Sequence, residues 1–281
     1  MNLLFKAAFW AVFGLICAVP GRTQDEIIST ARLVQVVPPD ASAPETVKGV
    51  LMLRIPMGTL RMGCTKGDPV CAPHEKPPRI VNISAFDLDQ REVTMGDYRT
   101  CVTAGACAPP AESPYCPWKD PAKENLPVAC VAWEQARAYC TWAHKRLPSE
   151  AEWEWAARAG TVPHLFSWGN EYDWMHANGL GEGGNDAWLQ AAPVRSFAPN
   201  PYGLFDMEGN ASEWVEDCYH ESYLGSPKDG SAWTKPGCPR RVIRGGSWRD
   251  DATLLRVSAR LSVDGSKGEP FIGFRCARSI P

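Results

Sequence analysis

Cysteine content is the feature that most constrains the fold of this chain. Eleven cysteines occur in 281 residues, and all but Cys17 follow an apolar N-terminal run. An even number of cysteines in an exported domain is typical of disulfide bonds. Four pairs of neighbours predict locally closed loops: Cys64 and Cys71, Cys101 and Cys107, Cys116 and Cys130, and Cys218 and Cys238. The spacing leaves the connectivity open, and the lack of C-x-x-C pairs argues against zinc.

The N-terminal segment indicates export. Lys6 precedes an apolar run from Ala7 to Val19, which has the length of a secretory signal and is too short to span a bilayer. We predict a signal peptide over 1–24, a leader over 25–48 with one strand-like run, and a single domain over 49–281. The mature protein would be periplasmic or secreted, without a membrane span after cleavage. The alternative is that the apolar run is retained as an anchor.

The composition predicts a loop-rich interior. Twelve Trp, 25 Pro and 24 Gly are typical of ordered turns packed around aromatic rings. We expect the tryptophans of two Trp-rich segments to be core residues rather than sugar-stacking platforms: Trp153, Trp155, Trp168 and Trp174. The net charge of -3 gives no basic patch of the kind that binds nucleic acid.

Capping residues and apolar spacing predict three helices. The first begins after Thr94 as N-cap and continues to about Ala104, before Gly105. The second covers about 133–144, and its apolar residues at i, i+3, i+4 and i+7 predict one buried face: Ala136, Tyr139, Cys140 and Ala143.

The third helix has a capping box at its start. The Ser149 hydroxyl can accept a hydrogen bond from the backbone N–H of Glu152, and the Glu152 carboxylate can accept one from the backbone N–H of Ser149. The helix is predicted to run to Ala159. Gly160 would be its left-handed stop. Beyond it no helical period lasts, so short strands and long ordered loops should fill the second half.

A series of short motifs follows between residues 49 and 278. It comprises Ile55-Pro56-Met57-Gly58 through Met62-Gly63, Glu75-Lys76-Pro77-Pro78, Arg91-Glu92-Val93-Thr94, the run from Lys145 to Glu154, Trp168-Gly169-Asn170, the run from Tyr202 to Met207, Gly209-Asn210 with Glu213-Trp214, Arg244-Gly245-Gly246-Ser247, and Gly273-Phe274-Arg275-Cys276. In order and content this set resembles the formylglycine-generating enzyme (sulfatase-modifying factor) family. The resemblance implies an α+β domain, a modified C-type-lectin-like fold with little regular secondary structure.

The resemblance also implies two structural calcium sites. The positions that match the family's first site are Asp206, Gly209, Ala211 and Glu213, and those that match the second are Asn178, Gly179, Asp186 and Trp188. Each set combines side-chain oxygens with backbone carbonyls, the hard ligands that calcium prefers. From the residues alone, Asp206 and Glu213 could equally cap turns.

One long-range disulfide is implied in the same way. Cys140 and Cys276 match a family pair that would close a loop of about 136 residues and stabilise the fold by about 4–5 kcal/mol in the chain-entropy description. The family's second pair falls at Ala157 and Val257. Because both partners are apolar, we expect a packed contact there instead.

The thiols of the family reaction are missing. In the family, two nearby cysteines bind copper(I) and activate oxygen to oxidise a substrate cysteine, and copper(I) prefers thiolates to carboxylates. Both should follow Ser247, but the first aligns with Asp250 and the second falls near Leu254–Leu255. Ser212 also replaces an expected tryptophan. We therefore expect neither copper binding nor formylglycine generation.

Ser247, Asp250 and Asp251 stay as candidate catalytic residues. A carboxylate whose pKa is raised by desolvation can act as a general base. The alternative is that the two aspartates pair with surface arginines, namely Arg249, Arg256 or Arg260. The five histidines show no spacing typical of an iron site.

Two functions are consistent with these observations. The first is a non-catalytic binding or regulatory module of the cell envelope with a protein or peptide partner; such relatives include a periplasmic regulator of type VI secretion. The second is a periplasmic oxidoreductase of a small or peptide-derived substrate, as in the relative that acts in pyoverdine maturation. Aspartates in an open cleft beside a further acid or histidine would favour the enzyme, and aspartates facing surface arginines would favour the module.

Overall fold

The computed structural model describes residues 50–160, 164–180 and 188–280. The predicted signal peptide, leader and strand-like run lie outside these residues, as does Asp186. None of the helices in the described ranges combines the length and apolar character that crossing a bilayer would need.

The described chain contains short strands and four α-helices, so the predicted α+β class is confirmed. The strands are β1 (Met52–Ile55), β2 (Gly58–Met62), β3 (Arg79–Ile83), β4 (Phe86–Asp89), β5 (Ser212–Cys218), β6 (Arg240–Arg244), β7 (Arg260–Asp264), β8 (Ile272–Gly273) and β9 (Ala277–Ser279). The helices are α1 (Met95–Thr103), α2 (Trp133–Trp142), α3 (Glu150–Arg158) and α4 (Ala252–Leu255). Long ordered loops join them, as the Gly- and Pro-rich composition predicts.

The strands form three small sheets. One has the order β1-β4-β9, the hairpin β2-β3 forms a second, and the largest has the order β7-β6-β5-β8. Its β5 and β8 are parallel, and all other pairs are antiparallel. In the first sheet Leu88 pairs with Ala277, so the C-terminal strand returns to the N-terminal part of the domain.

The three predicted helices are confirmed, and each ends one or two residues earlier than predicted. Thr94 Oγ1 accepts the amide of Asp97, and Asp97 Oδ2 accepts the amide of Thr94 in return. Along α2 the predicted apolar face is buried. Helix α3 ends at Arg158, and Ala159 rather than Gly160 is its first left-handed residue, with φ of 47°. The end is one residue earlier than predicted because this alanine adopts the C-terminal turn usually left to glycine.

Aromatic rings fill the interior between the helices. Tyr139 stacks on Tyr98 with ring centroids 5.6 Å apart and meets Phe274 edge-on at 5.4 Å. The expectation that the tryptophans are core residues holds fully for Trp153, which is completely buried, and fails for Trp174, which is 38% exposed. Trp155 and Trp168 are half-buried.

All ten cysteines of the described chain are paired. The four predicted local disulfides form, and Cys140 on α2 joins Cys276 just before β9, as the family resemblance implied. Ala157 and Val257 are both buried in one apolar cluster. The two residues therefore occupy core positions, which agrees with the packed contact expected in place of the family's second disulfide.

Buried ion pairs hold the loops to the sheets. Each joins segments far apart in sequence: Lys145 with Asp89, Arg244 with Glu154, Arg256 with Glu75, Arg260 with Glu150, and Arg275 with Glu213. Removing one partner of such a pair leaves an uncompensated buried charge and costs about 3–5 kcal/mol. The pairs thus fix the positions of the loops that carry the candidate site.

Candidate functional site

The first predicted calcium loop, residues 206–213, leads into β5. Asp206, Gly209 and Asn210 all have positive φ, at 55°, 76° and 62°. These residue types tolerate the left-handed conformation better than others do. The repeated left-handed turns bend the chain tightly before β5 begins at Ser212.

Three buried carboxylates and the guanidinium of Arg275 lie beside this loop. Arg275 contacts both oxygens of Glu213 at 2.6 to 2.9 Å, and its Nη2 also donates to the carbonyl of Asp206 at 3.0 Å. Burial raises the pKa of Glu92 well above its usual value, and the charges of Asp206 and Glu213 raise it further. Burial likewise raises the pKa of Asp206 to about 6. If all three acids ionise, their negative charges outnumber Arg275 and Arg195, whose charges both act on Asp206, and a divalent cation would offset the excess.

Glu92 is a site residue that the sequence analysis did not assign. Its Oε2 accepts from Asn210 Nδ2 at 2.7 Å, and its Oε1 accepts from the amide of Ala211 at 2.9 Å. It thereby holds the middle of the first loop. Glu92 belongs to the motif Arg91-Glu92-Val93-Thr94, but more than a hundred residues separate it from the loop it contacts, so the sequence does not reveal the contact.

The second predicted loop is described in part, through Asn178, Gly179 and Trp188. The Nδ2 of Asn178 donates to the carbonyl of Gln190 at 2.9 Å. Its Oδ1 is buried and has no hydrogen-bond partner among the described residues. An unpaired buried oxygen costs about 1–3 kcal/mol, so a bound cation would stabilise this arrangement.

The donor set fits calcium. Side-chain oxygens of Asp206 and Glu213 would hold the first ion together with the carbonyls of Gly209 and Ala211. In the second loop, Asn178 Oδ1 is the available oxygen. Glu213 also accepts a hydrogen bond from Trp153 Nε1 at 2.8 Å, so a metal bound by this carboxylate would share oxygens that Arg275 and Trp153 already contact. Calcium at these positions would be structural, drawing loops without sheet partners together.

Ser247 and Asp250 contact one another at the position of the missing thiols. Ser247 is fully buried, and its hydroxyl donates to Asp250 Oδ2 at 2.6 Å. Asp251 is exposed and is the N-cap of α4, where its Oδ1 accepts from the amide of Thr253 at 2.8 Å. Hydrogen bonds from Thr253 lower the pKa of Asp251. Asp251 is therefore a capping residue.

The alternative pairing of these aspartates with arginines is wrong. Within the described chain, Arg256 pairs with Glu75 and Asp68, and Arg260 pairs with Glu150. Arg249 lies over the ring of Phe271, with its Cζ 4.5 Å from the centroid. Arg256 and Arg260 are buried and need buried partners, which distant segments supply.

A cavity of about 380 Å³ lies near the first predicted calcium loop. It is lined by residues of two segments: Ser167, Trp168 and His176 from the first, and Ala198, Pro199, Asn200, Pro201, Leu204, Asp206, Met207 and Glu208 from the second. The carboxylate of Glu208 accepts from the amide and hydroxyl of Ser167 at 2.7 and 3.0 Å. Burial raises the pKa of Glu208 to about 7. The sequence analysis missed this cavity because its walls come from separate segments.

The class of protein defined by this geometry is an α+β domain with disulfide-closed loops, two oxygen-rich turns and a partly buried Ser247–Asp250 contact. Residues 38–280 match the family described as the sulfatase-modifying factor enzyme 1-like domain. The chain belongs to this family of formylglycine-generating enzyme relatives, and the resemblance seen in the motifs is confirmed.

Individual relatives agree with this assignment. The chain is 31% identical to a formylglycine-generating enzyme of Thermomonospora curvata, over 85% of this chain and 96% of the relative. It is 30% identical to the inactive C-alpha-formylglycine-generating enzyme 2 of Mus musculus, over 81% of this chain and 85% of the relative. Among solved structures, PvdO from Pseudomonas aeruginosa superposes with a TM-score of 0.72 at 32% identity, covering 82% of this chain and 95% of that one.

Proposed function

We propose that this protein is an exported, calcium-stabilised and non-catalytic member of its family, acting as a binding or regulatory module of the cell envelope. The observation that carries the proposal is the thiol-free segment from Ser247 to Arg256. A carboxylate stands where the first family thiol aligns, and it is engaged by the Ser247 hydroxyl. Copper(I) requires soft thiolate ligands, which this segment does not offer.

The remaining cysteines offer no substitute centre. Every cysteine of the described chain is held in a disulfide. A mammalian relative of similar identity carries the name of an inactive enzyme. Loss of the chemistry with retention of the scaffold therefore supports a binding role.

The disulfides and the predicted signal peptide support an extracytoplasmic compartment for this protein. Five disulfides in one domain are typical of an oxidising compartment such as the periplasm or the extracellular space. Calcium-filled loops suit the same compartments, whose calcium is high enough for weak structural sites. The partner we propose is an envelope protein or peptide, and the protein itself would act as a periplasmic regulator, for example of type VI secretion.

The test for catalysis uses a sulfatase-type peptide that contains the substrate cysteine. The mature domain is incubated with the peptide, oxygen and copper(I), and mass spectrometry measures aldehyde formation. The Thermomonospora curvata enzyme serves as the positive control. We expect no aldehyde from this chain; its formation at the rate of the control would refute the proposal.

A second candidate is an oxidoreductase that uses another centre at the same position. The partly buried Ser247–Asp250 contact is the observation in its favour, since it leaves a polar pair where the family's chemistry occurs. The double substitution Asp250→Asn and Asp251→Asn keeps an acceptor for Ser247 and a cap for α4. Full function of this variant in the host would exclude the catalytic role, whereas loss of function with an intact fold would favour it.

A pull-down from envelope extract tests the binding role directly. The mature domain is used as bait with calcium and with chelator. We expect a specific partner that is retained in calcium and lost on chelation, because the calcium loops would order the binding face.

A further inference from the structure

We infer that one surface of the domain docks on a bilayer of anionic phospholipids. The surface combines the outer face of the β2–β3 hairpin with the loop that lies beside it, and we call it the basic face: Arg61, Lys76, Ile80, Leu224 and Lys228. The inference rests on the proposed location in the cell envelope, but it uses neither the predicted calcium loops nor the thiol-free segment.

The β2–β3 hairpin has one side packed on the core and one side in solvent. Burial alternates along both strands, so that one set of side chains joins the apolar core, Leu60, Met62, Val81 and Ile83, and the other set is exposed, Thr59, Arg61, Ile80 and Asn82. Arg61 pairs with Ile80 across the two strands. Directly opposite residues lie on the same face of a sheet with Cβ atoms about 5 Å apart, so a cation and an apolar side chain lie side by side in solvent.

The loop 223–230 extends this exposed face along the outer edge of β3. The amide of Asn82 donates to the carbonyl of Lys228 at 2.8 Å. At the start of the loop, the amide of Tyr223 donates to the carbonyl of Lys76 at 2.8 Å, and Leu224 follows directly. These backbone contacts hold the exposed residues of the loop next to the hairpin.

Two large apolar side chains protrude from the basic face. Leu224 is 78% exposed and Ile80 is 54% exposed, so neither contributes much to the core. Apolar surface of this kind gains free energy when a partner removes it from water. The fold leaves both side chains available for such a partner.

The cations of the basic face have no acidic partner. None of its three exposed cations forms an ion pair with a described residue: Arg61, Lys76 and Lys228. The exposed acids of the adjoining segment are engaged elsewhere, since Glu221 accepts from the Tyr219 hydroxyl at 3.2 Å and Asp229 accepts from the amide of Ser231 at 3.0 Å. The net charge of the whole chain is -3, so this positive surface is a local feature.

A bilayer of anionic phospholipids is complementary to both components of the basic face. Its phosphates attract Lys and Arg at the surface, and the acyl boundary just below accepts Leu and Ile side chains. Three cations and two apolar side chains predict weak and reversible binding, which would hold the domain at a membrane surface without anchoring it.

Vesicle co-sedimentation of the mature protein tests the inference. Vesicles of equal parts phosphatidylglycerol and phosphatidylcholine are compared with vesicles of phosphatidylcholine alone, at one calcium concentration. We expect partition into the anionic vesicles to be at least about tenfold stronger, and NaCl raised from about 0.1 M to about 0.5 M should remove most of this difference. Equal partition into both kinds of vesicle, or no binding to the anionic vesicles, would overturn the inference.

Matched substitutions assign the binding to the basic face. Lys228→Gln should weaken partition into anionic vesicles about fivefold, and Leu224→Ser should weaken it as well. Lys123→Gln and Leu189→Ser make the same changes at exposed positions of other loops and should leave the partition unchanged. Thermal unfolding checks that all four variants are folded. Equal effects of the two pairs would show that the basic face does not bind the bilayer.

The occupant of the basic face is distinguished by the same variants in the pull-down. A captured protein that is lost in Lys228→Gln, without any vesicle binding, would assign the face to a protein and contradict the lipid inference. Failure of the vesicle test alone leaves the proposed function standing, because the aldehyde assay and the calcium-dependent pull-down test that function separately.

Discussion

The backbone carbonyl of Asn178 accepts a hydrogen bond from the amide of Asn210 at 2.7 Å, which joins the two predicted calcium loops directly. Asn178 Nδ2 also approaches Asn210 Oδ1 at 3.4 Å. Because each loop forms part of the wall of the other, an ion bound in one should stabilise both. The second loop in turn contacts the segment of the missing thiols, where the amide of Leu180 donates to the carbonyl of Asp250 at 2.8 Å.

Calcium removal should lower the stability of the domain. At a calcium concentration a hundredfold above Kd, a single site contributes about 2.7 kcal/mol, and chelation removes that contribution. Asp206→Asn should reduce the calcium-dependent part of the Tm shift, since it removes a buried charged oxygen from the first loop. Asp264→Asn, at an exposed turn, is the control and should keep the full shift. Thermal unfolding with calcium and with chelator measures both, and a Tm independent of calcium would contradict the metal sites.

The close approach of the Asn178 carbonyl to Gly209 should make any substitution of this glycine strongly destabilising. A Cβ there would lie 2.4 Å from the carbonyl oxygen of Asn178, at a φ of +76°. Gly237 has a similar φ of +68° but open space around it. We expect Gly237→Ala to cost about 1–2 kcal/mol for the left-handed backbone, and Gly209→Ala to cost at least about 2 kcal/mol more because the loops must separate. Denaturant unfolding compares the two, and equal costs would show that the loop contact is unimportant.

The disulfides should differ in their contributions. Cys140 and Cys276 are separated by 136 residues, and Cys101 and Cys107 by 6. In the chain-entropy description the upper limits are about 5 and about 2 kcal/mol, because closing the longer loop removes more freedom from the unfolded chain. Replacing each pair by alanines and measuring the free energy of unfolding tests the order. A larger loss for the short loop would show that native packing, rather than loop length, dominates.

The free energy of unfolding should decrease as the pH rises toward neutrality, because the pKa of Asp217 is raised in the folded state. Burial, with a further contribution from nearby Glu150, raises the pKa of Asp217 to about 7. The folded state then keeps this proton up to about pH 7, whereas an unfolded aspartate releases it near pH 4. Since the folded state binds more protons between these values, the free energy of unfolding decreases with increasing pH there, by up to about 1.4 kcal/mol per unit.

Asp217→Asn should reduce this slope, and the part that remains comes from other buried acids with a raised pKa, such as Asp206 and Glu208. The variant should also be less stable at low pH by about 1–3 kcal/mol, because the amides of Glu150 and Trp233 both donate to the carboxylate and one would lose its acceptor. Asp264→Asn removes an exposed carboxyl and should leave the slope unchanged. Urea unfolding from about pH 5 to pH 7.5 measures the slope, and a slope in Asp217→Asn equal to that of the unsubstituted protein would exclude a contribution from Asp217.

Local signals in the sequence predicted the first three helices, but not the short α4, and they indicated four of the disulfides. Thr94 and Ser149 each cap a helix through a residue three positions later, so the interaction is complete within one turn. The cysteine pairs closest in sequence close their loops at the smallest entropic cost. The ordered motifs gave the family, and through it the long-range pair Cys140–Cys276.

Tertiary structure alone decided how the charged and polar groups are shared. Asp250 and Asp251 are close to Arg256 in the sequence, yet the Arg256 guanidinium pairs with Glu75, which is 181 residues away. Glu92 supports a loop 118 residues distant, and Glu208 accepts hydrogen bonds from Ser167, 41 residues away. A helix cap or a short loop is fixed by neighbours along the chain, whereas a buried charge takes whichever partner the folded core brings within reach. Spacing in the sequence therefore determined the framework of this protein, and only packing determined its site.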